Sequence, residues 1–452
     1  MIQRPSAAAP GRPAAIEPAR RLRGSPALPG DKSISHRALL LALLAEGTSR
    51  ITGAGDGEDV RTSARLAAEL GAEVERLRER AGRVDYRVTS PGARSLREPT
   101  DVLDGGNSGT TTRLLLGILA GQPLHAVLTG DASLRSRPMA RVTEPLQAMG
   151  AAIDGRAGAS RLPLAVRGRR PLRAIDWATS VPSAQVKSAI LLAALAAEGT
   201  TTVHEALATR DHTERMLRAR GVAVGESTAA DGGHVSSVAG PVAVRPLDQD
   251  VPADPSAAAF WLVAGAIHPD AELRLAGVST NPTRRAIVDL LRRMGARIDE
   301  QPLPVAGGAA GEPVADLVVR SSELRGIDLG PEDVAAAIDE IPVLCLAAAV
   351  ASGTTRIVGA GELRHKESDR LEGVAAGLTA LGAQVRVEGD NLTITGGARL
   401  RGGPTDARDD HRLAMTFAVA ALVANGTTTI DRHESAAISD PGFFAQLEGV
   451  RA

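Results

Sequence analysis

The chain is 452 residues long, with a net charge of −1, 43% hydrophobic residues and 23% charged ones. That is a soluble globular profile with room for two or three domains and sizeable cores. The near-zero net charge and 2% aromatic content exclude bulk nucleic-acid binding, which needs a basic face and stacking platforms.

Residues 1–20 are rich in Ala, Pro and Arg and lack an apolar h-region, so they read as a disordered tail and not a signal peptide. No apolar run reaches the length of a membrane span, and a cytoplasmic location follows by default. Next comes Gly30-Asp31-Lys32-Ser33-Ile34-Ser35-His36-Arg37, leading straight into an apolar helix from Ala38 to Ala45. A helix start exposes unpaired backbone N–H groups and the positive end of the helix dipole. With Lys32, Ser33 and Arg37 added, it can hold an anion. Read alone, the plainer alternative is an N-cap serine beside two solvated cations.

The same unit then recurs: a polar cluster, an apolar helix, a small-residue turn and a Thr/Val/Ile strand. The later clusters are Gly106-Asn107-Ser108-Gly109-Thr110, Ser183-Ala184-Gln185-Val186-Lys187, Asp254-Pro255-Ser256, Asp339-Glu340-Ile341-Pro342 and Asp409-Asp410-His411-Arg412. Equivalent positions fall at 32, 107, 183, 254, 339 and 410, spacings of 75, 76, 71, 85 and 71. Between them lies a second amphipathic helix closed by a glycine, as at Gly71, Gly221, Gly295 and Gly382. The sixth copy is cut short. A period this long is a small α/β module and not a thin solenoid.

Six modules group most simply as two domains of three: residues 31–249, and residues 21–30 plus 250–452. The proline-rich stretch Asp248 to Asp254 reads as the crossover. If the modules pack with rough symmetry, six helix ends face one cleft between the domains, a site suited to a multiply anionic ligand.

Of 52 basic residues only Lys32, Lys187 and Lys366 are lysine. A lysine kept in an arginine-rich chain suits a place needing a compact, flexible ammonium. The single cysteine, Cys345, lies in an apolar run and reads as core filler. No P-loop is present, and the nine histidines are scattered without metal-ligand spacing, so neither a metal nor a cofactor is expected.

Five motifs together carry a resemblance. They are Asp31-Lys32-Ser33-Ile34-Ser35-His36-Arg37, Gly106-Asn107-Ser108-Gly109-Thr110-Thr111-Thr112-Arg113, Arg135-Ser136-Arg137-Pro138, Arg364-His365-Lys366-Glu367-Ser368-Asp369-Arg370 and Asp410-His411-Arg412. In this order, from about residue 22 to 450, the chain resembles the EPSP synthase (3-phosphoshikimate 1-carboxyvinyltransferase) family of enolpyruvyl transferases. The resemblance implies the inside-out α/β barrel fold, two domains each of three βαβαββ units. It implies transfer of the enolpyruvyl group of phosphoenolpyruvate to shikimate 3-phosphate by a monomer, with glyphosate sensitivity expected from Gly109.

By position, the resemblance implies that Lys32, Ser33 and Arg37 contact shikimate 3-phosphate, with Lys32 also reaching phosphoenolpyruvate. Ser183, Ala184, Gln185, Arg210, Asp339 and Lys366 are further shikimate 3-phosphate contacts. Asn107, Gly109, Arg137, Gln185, Arg370 and Arg412 face phosphoenolpyruvate. Asp339 is the implied proton acceptor and Glu367 the implied proton donor. Many relatives carry a lysine near the C-terminus where this chain has Ala437-Ile438-Ser439-Asp440-Pro441, and Lys187 has no assigned role. The rivals are the sister transferase acting on UDP-N-acetylglucosamine, whose loop commonly carries a reactive cysteine, and a catalytically dead binding paralogue. The presence of both Asp339 and Glu367 speaks against the latter.

Overall fold

A computed structural model describes residues 12–80, 82–304 and 311–451. Each of the six polar clusters begins a helix: Lys32–Leu44, Gly109–Ala120, Ala184–Ala194, Pro255–Ile267, Ile341–Val350 and His411–Ala421. These helices are apolar on nearly every side, which is the signature of a helix enclosed by other elements. In Ile341–Val350, for example, every residue but Val350 is buried. The first three helices and their strands share one hydrophobic core running from Ile34 to Val251. The other three share a second core, from Ala253 to Val450, joined by Ile16, Leu22 and Leu28.

Six small sheets clothe these cores. Five share one plan, in which a short strand pairs in parallel with the strand after the buried helix, and that strand pairs antiparallel with one arm of a hairpin. The second unit shows it: Leu103–Asp104 beside His125–Thr129, then Arg161–Arg167, then Ala152–Gly155. This is βαβαββ, the unit implied by the family resemblance.

The two halves exchange strands. Leu22–Gly24 supplies the parallel strand of the fourth unit, against Ala271–Leu273. Gln249–Asp250 supplies that of the first, against Ile51–Thr52. The chain therefore crosses twice, and the crossings touch: Gly30 bridges Ala253, and Asp31 N donates to Pro252 O at 2.8 Å. Asp250 still belongs to the first half's sheet and Val251 to its core, while Ala253 belongs to the second core, so the second crossing lies at Pro252.

The reading of residues 1–20 as a disordered tail needs correction. Residues 1–11 lie outside the described residues, but Ala14–Ile16 is a strand, antiparallel to Thr428–Ile430. Ile16 is buried in the second core. The physical reason is the truncated sixth unit. Its sheet has the parallel strand Pro404–Asp406 but no hairpin of its own, and the N-terminal strand takes the vacant antiparallel position. An open edge is thereby paired.

Glycines let the buried helices approach closely. A Cβ on Gly117 would lie 2.2 Å from the backbone oxygen of Ala189 on the third helix. Backbone cannot yield as a side-chain tip can. Gly117→Ala should therefore destabilise the chain by about 1–3 kcal/mol, the range for overpacked cores. A lowered thermal midpoint checks this, and an unchanged one would contradict it. Among the described residues, no helix is long and apolar enough to cross a membrane.

Candidate active site

The helix starts converge between the two cores, but they are not six equivalent anion sites. Four are closed by their own N-caps: Asp31 accepts from Ile34 N, Ser108 from Thr111 N, Asp254 from Ser256 N and Asp410 from Arg412 N. Each cap satisfies a free amide, and the carboxylates of Asp31, Asp254 and Asp410 also offset the dipole, so the six ends are not equivalent. The two ends without a side-chain cap are those at Ser183 and Glu340. Among the described residues, no side chain therefore closes the helix start at Ser183 and Ala184.

Around these ends lies a dense charge network. Arg370, almost fully buried, extends one guanidinium to three carboxylates. Its Nε donates to Asp410 Oδ2 at 2.8 Å, Nη1 sits 3.4 Å from Asp339 Oδ1, and Nη2 donates to Glu367. Arg210, from the first half, donates to Asp339 Oδ2 at 2.7 Å. Lys366 Nζ is 3.7 Å from Asp339 Oδ1. Arg137, also from the first half, has Nη1 3.7 Å from Glu367 Oε1, while its Nη2 donates to Asn107 Oδ1 at 2.9 Å. Asn107 is held in turn by Asp131 at 2.6 Å. Arg141 and Glu362 make another contact between the halves, at 3.2 Å.

The electrostatic consequences follow from burial among cations. Burial would raise the Asp339 carboxyl, but Lys366, Arg210, Arg412 and Arg370 hold it well below the usual carboxylate range. Glu367 is treated the same way: burial opposes, and Arg370 and Arg137 win. Both are therefore ionised in the ligand-free protein. Both keep 18% of their side-chain surface open, so a ligand in the cleft can reach them. Burial pulls the Lys366 ammonium below its ordinary value. It also holds His411 neutral, with Lys32 and Arg412 adding to the effect.

Near the start of the second helix, Arg113 Nη1 donates to Gln185 Oε1 at 2.6 Å, and Gln185 Nε2 donates to Thr110 Oγ1 at 2.9 Å. Burial and the nearby Arg141 and Arg137 push the Arg113 guanidinium down to about 9. Gly109 lies against both arginines: a Cβ there would be 2.8 Å from Arg113 Nη1 and 3.3 Å from Arg137 Nη1. Gly109→Ala should displace these flexible ends and not the backbone. The expected result is a several-fold rise in KM for a ligand held by Arg137 with stability unchanged, read by steady-state kinetics beside a melting curve. An unaltered KM would refute it.

The remaining sequence candidates sit at the margins of this network. Lys32 Nζ is 3.2 Å from Asp59, and its amide donates to Asp254 at 3.0 Å. Ser33 Oγ is approached by Arg284 at 3.4 Å. Arg37 is 4% exposed, and its guanidinium donates to Thr213 Oγ1, Ser188 Oγ and Ser33 O. It braces the first motif from behind. Arg412 is 3.8 Å from Glu340, whose carboxylate accepts from Ser256.

Sequence reasoning missed Arg284, which joins Asp31 and Asp254 at the two crossings with contacts of 3.4 and 3.2 Å. No motif marked it. It also missed Arg113, although that residue closes a quoted motif. Cys345 is buried and its thiol is pushed up to about 12, so it offers no reactive thiolate. Asp211, His212 and Glu312 bring ligand-type atoms within 4.8 Å of one another. Glu312 is already engaged by His212 Nδ1 at 2.7 Å and Asn281 at 2.8 Å, which accounts for the cluster without an ion.

Comparison with known proteins shows the family and the fold. The sequence profile of the family described as EPSP synthase (3-phosphoshikimate 1-carboxyvinyltransferase) matches residues 16–447. A protein of Gloeobacter violaceus named 3-phosphoshikimate 1-carboxyvinyltransferase is 52% identical over 442 residues, covering 98% of this chain and 99% of its own. One from a Roseiflexus species with the same name is 50% identical over 436 residues, covering 96% and 98%. Among solved structures, an EPSP synthase from Acinetobacter baumannii superposes with a TM-score of 0.84 at 38% identity, covering 97% of this chain and 98% of that one. The enolpyruvyl transferase NikO from Streptomyces tendae shares the fold, with a TM-score of 0.74 at 21% identity and 98% coverage of both.

Proposed function

The chain belongs to the EPSP synthase (3-phosphoshikimate 1-carboxyvinyltransferase) family, and we infer that its charged cleft carries out that family's reaction. The enolpyruvyl group of phosphoenolpyruvate passes to the 5-hydroxyl of shikimate 3-phosphate, and phosphate is released. The observation that carries the reading is the Arg370 guanidinium, which ties Asp339 to Glu367 and so gathers two carboxylates and several cations in one cleft.

The site residues are proposed in these roles. Two substrates bring two phosphates and two carboxylates, and arginine forks suit both groups. Shikimate 3-phosphate is taken by Arg210, Lys366, Ser183, Ala184, Gln185, Lys32 and Ser33, with Arg37 supporting. Phosphoenolpyruvate is taken by Arg137, Arg370, Arg412, Asn107, Gln185 and Lys32, beside Gly109. In the addition step the 5-hydroxyl oxygen bonds to the enol carbon, its proton goes to Asp339, and Glu367 gives a proton to the terminal methylene. In the elimination step the C–O bond to phosphate breaks as the Glu367 carboxylate takes a proton back from the new methyl group, whose C–H electrons form the restored double bond.

A donor must hold its proton, yet Glu367 is ionised in the free protein. The cations that keep it ionised, Arg370 and Arg137, are the ones proposed to bind phosphoenolpyruvate. When the substrate's anions take their charge, Glu367 loses its stabilising partners and its pKa rises. Asp339 shares Lys366 and Arg210 with the shikimate phosphate, so its basicity rises as well, which suits the group that takes the hydroxyl proton.

The test is incubation with shikimate 3-phosphate and phosphoenolpyruvate, following phosphate release. No release by the wild-type protein would overturn the reading.

A further inference from the structure

Lys187, which the reaction does not use, is one of three lysines among 52 basic residues. Its side chain is completely buried on the third core helix. Nζ lies 2.7 Å from Glu205 Oε2 and 2.8 Å from Glu214 Oε1. It also donates to the backbone oxygen of Thr209 at 3.5 Å. Burial alone would pull this ammonium down, but Glu214 and Glu205 hold it above the ordinary lysine value.

The two carboxylates bracket one loop. Glu205 ends the strand Ala197–Glu205, and Glu214 lies in the first turn of the helix His212–Ala219. Residues 206–211 connect them and carry Arg210, which crosses to Asp339 at 2.7 Å. Thr209 is tied back to Glu205, its Oγ1 donating to Oε1. Ser236 Oγ donates to Glu214 at 3.3 Å, and Arg37 donates to Thr213 Oγ1, on the residue before Glu214, at 2.7 Å. Lys187 therefore serves both buried carboxylates with one charge. An ammonium can present donors to two carboxylates and a carbonyl from one point, which a planar guanidinium cannot.

We propose that Lys187 is a positioning residue, which clamps both ends of the 206–211 loop and thereby sets Arg210 for the phosphate of shikimate 3-phosphate. This rests on the proposed role of Arg210 in the reaction above. It links the Ser183–Gln185 helix start to Arg210 through one buried charge, so two contacts to the same substrate share one rigid support.

Removing Lys187 alone leaves an excess buried carboxylate, which threatens folding. The informative variant is Lys187→Met with Glu205→Gln, which removes one buried charge of each sign. The expected result is a thermal midpoint near wild type with a dissociation constant for shikimate 3-phosphate, measured by calorimetry, raised about tenfold, as for a misplaced binding group. KM for phosphoenolpyruvate should change less than twofold. Adding Arg210→Ala should weaken binding no further, because both changes act through one contact. Wild-type affinity in the double variant, or losses that multiply with Arg210→Ala, would overturn the proposal. Should the double variant not fold, Thr209→Val removes the tie to Glu205 alone. It should weaken binding about threefold with an unchanged midpoint, and unchanged affinity would overturn the proposal equally. A wild-type protein that neither binds shikimate 3-phosphate nor releases phosphate would instead defeat the functional reading itself.

Discussion

Glutamine in place of Glu367 should slow phosphate release by about a hundred- to ten-thousand-fold, the range for loss of a general acid, with the fold intact. Glutamine keeps the size of the side chain and an oxygen for Arg370 to donate to, but it cannot deliver a proton. Because Arg370 and Arg137 hold Glu367 ionised before substrate arrives, a second signature accompanies the rate. Binding of both substrates should take up a proton in the wild type. Calorimetry in two buffers of different ionisation enthalpy detects that uptake, and it should vanish in Glu367→Gln. The pH profiles carry the same sign. kcat/KM reports the free enzyme, where the group titrates below the usual carboxylate range. kcat reports the complex, where its cations are shared with substrate. The group that must be protonated therefore titrates at higher pH in kcat than in kcat/KM. A variant with near-normal turnover would remove Glu367 from the proton-transfer role.

Period and helix-start chemistry made the six modules legible, because each buried helix is apolar on all sides and each begins at a polar cluster. Strand exchange between the halves was partly legible. The chain before Gly30 was expected to join the second half, and Leu22–Gly24 does. The strand at Ala14–Ile16 was not readable, since three small or apolar residues carry no local signal. What orders them is an unpaired edge more than 400 residues away in sequence. The site shows the same division. The motifs identified the residue types, but their pairings are long-range. Arg210 with Asp339, and Arg137 with Glu367, join residues from separate halves. Lys187 is the clearest case. Its rarity marked it, but its purpose depends on two glutamates whose distance from it only the fold reveals.

Arg370→Met should destabilise the second half by about 3–5 kcal/mol, the cost of leaving buried carboxylates unpaired, and should abolish detectable phosphoenolpyruvate binding. The residue contacts Asp410, Asp339 and Glu367 at once. Asp410 also caps the sixth core helix and accepts from Ser368 at 3.1 Å. Removing the guanidinium thus strands Asp410, weakens the hold on Asp339 and Glu367, which keep Arg210 and Arg137, and loosens a helix start. Lysine should not rescue the variant, because a compact ammonium at one point cannot span acids that lie along the separate Nε, Nη1 and Nη2 directions of the guanidinium fork. The pH dependence separates this cause from simple cavity formation. In the wild type, Asp339 and Glu367 have depressed folded-state pKa values. They contribute stability at pH values above their unfolded pKa, and that contribution is lost as pH falls through the folded pKa. Without Arg370 the folded pKa values rise, and the folded variant can take up protons that the folded wild type refuses. The stability gap should therefore be widest at neutral pH and narrow as the buffer is taken down to about pH 4, near the ordinary carboxylate values. Urea unfolding of both proteins at the two pH values measures the gap. A gap that stays constant would assign the loss to packing and leave the charge network without its central role.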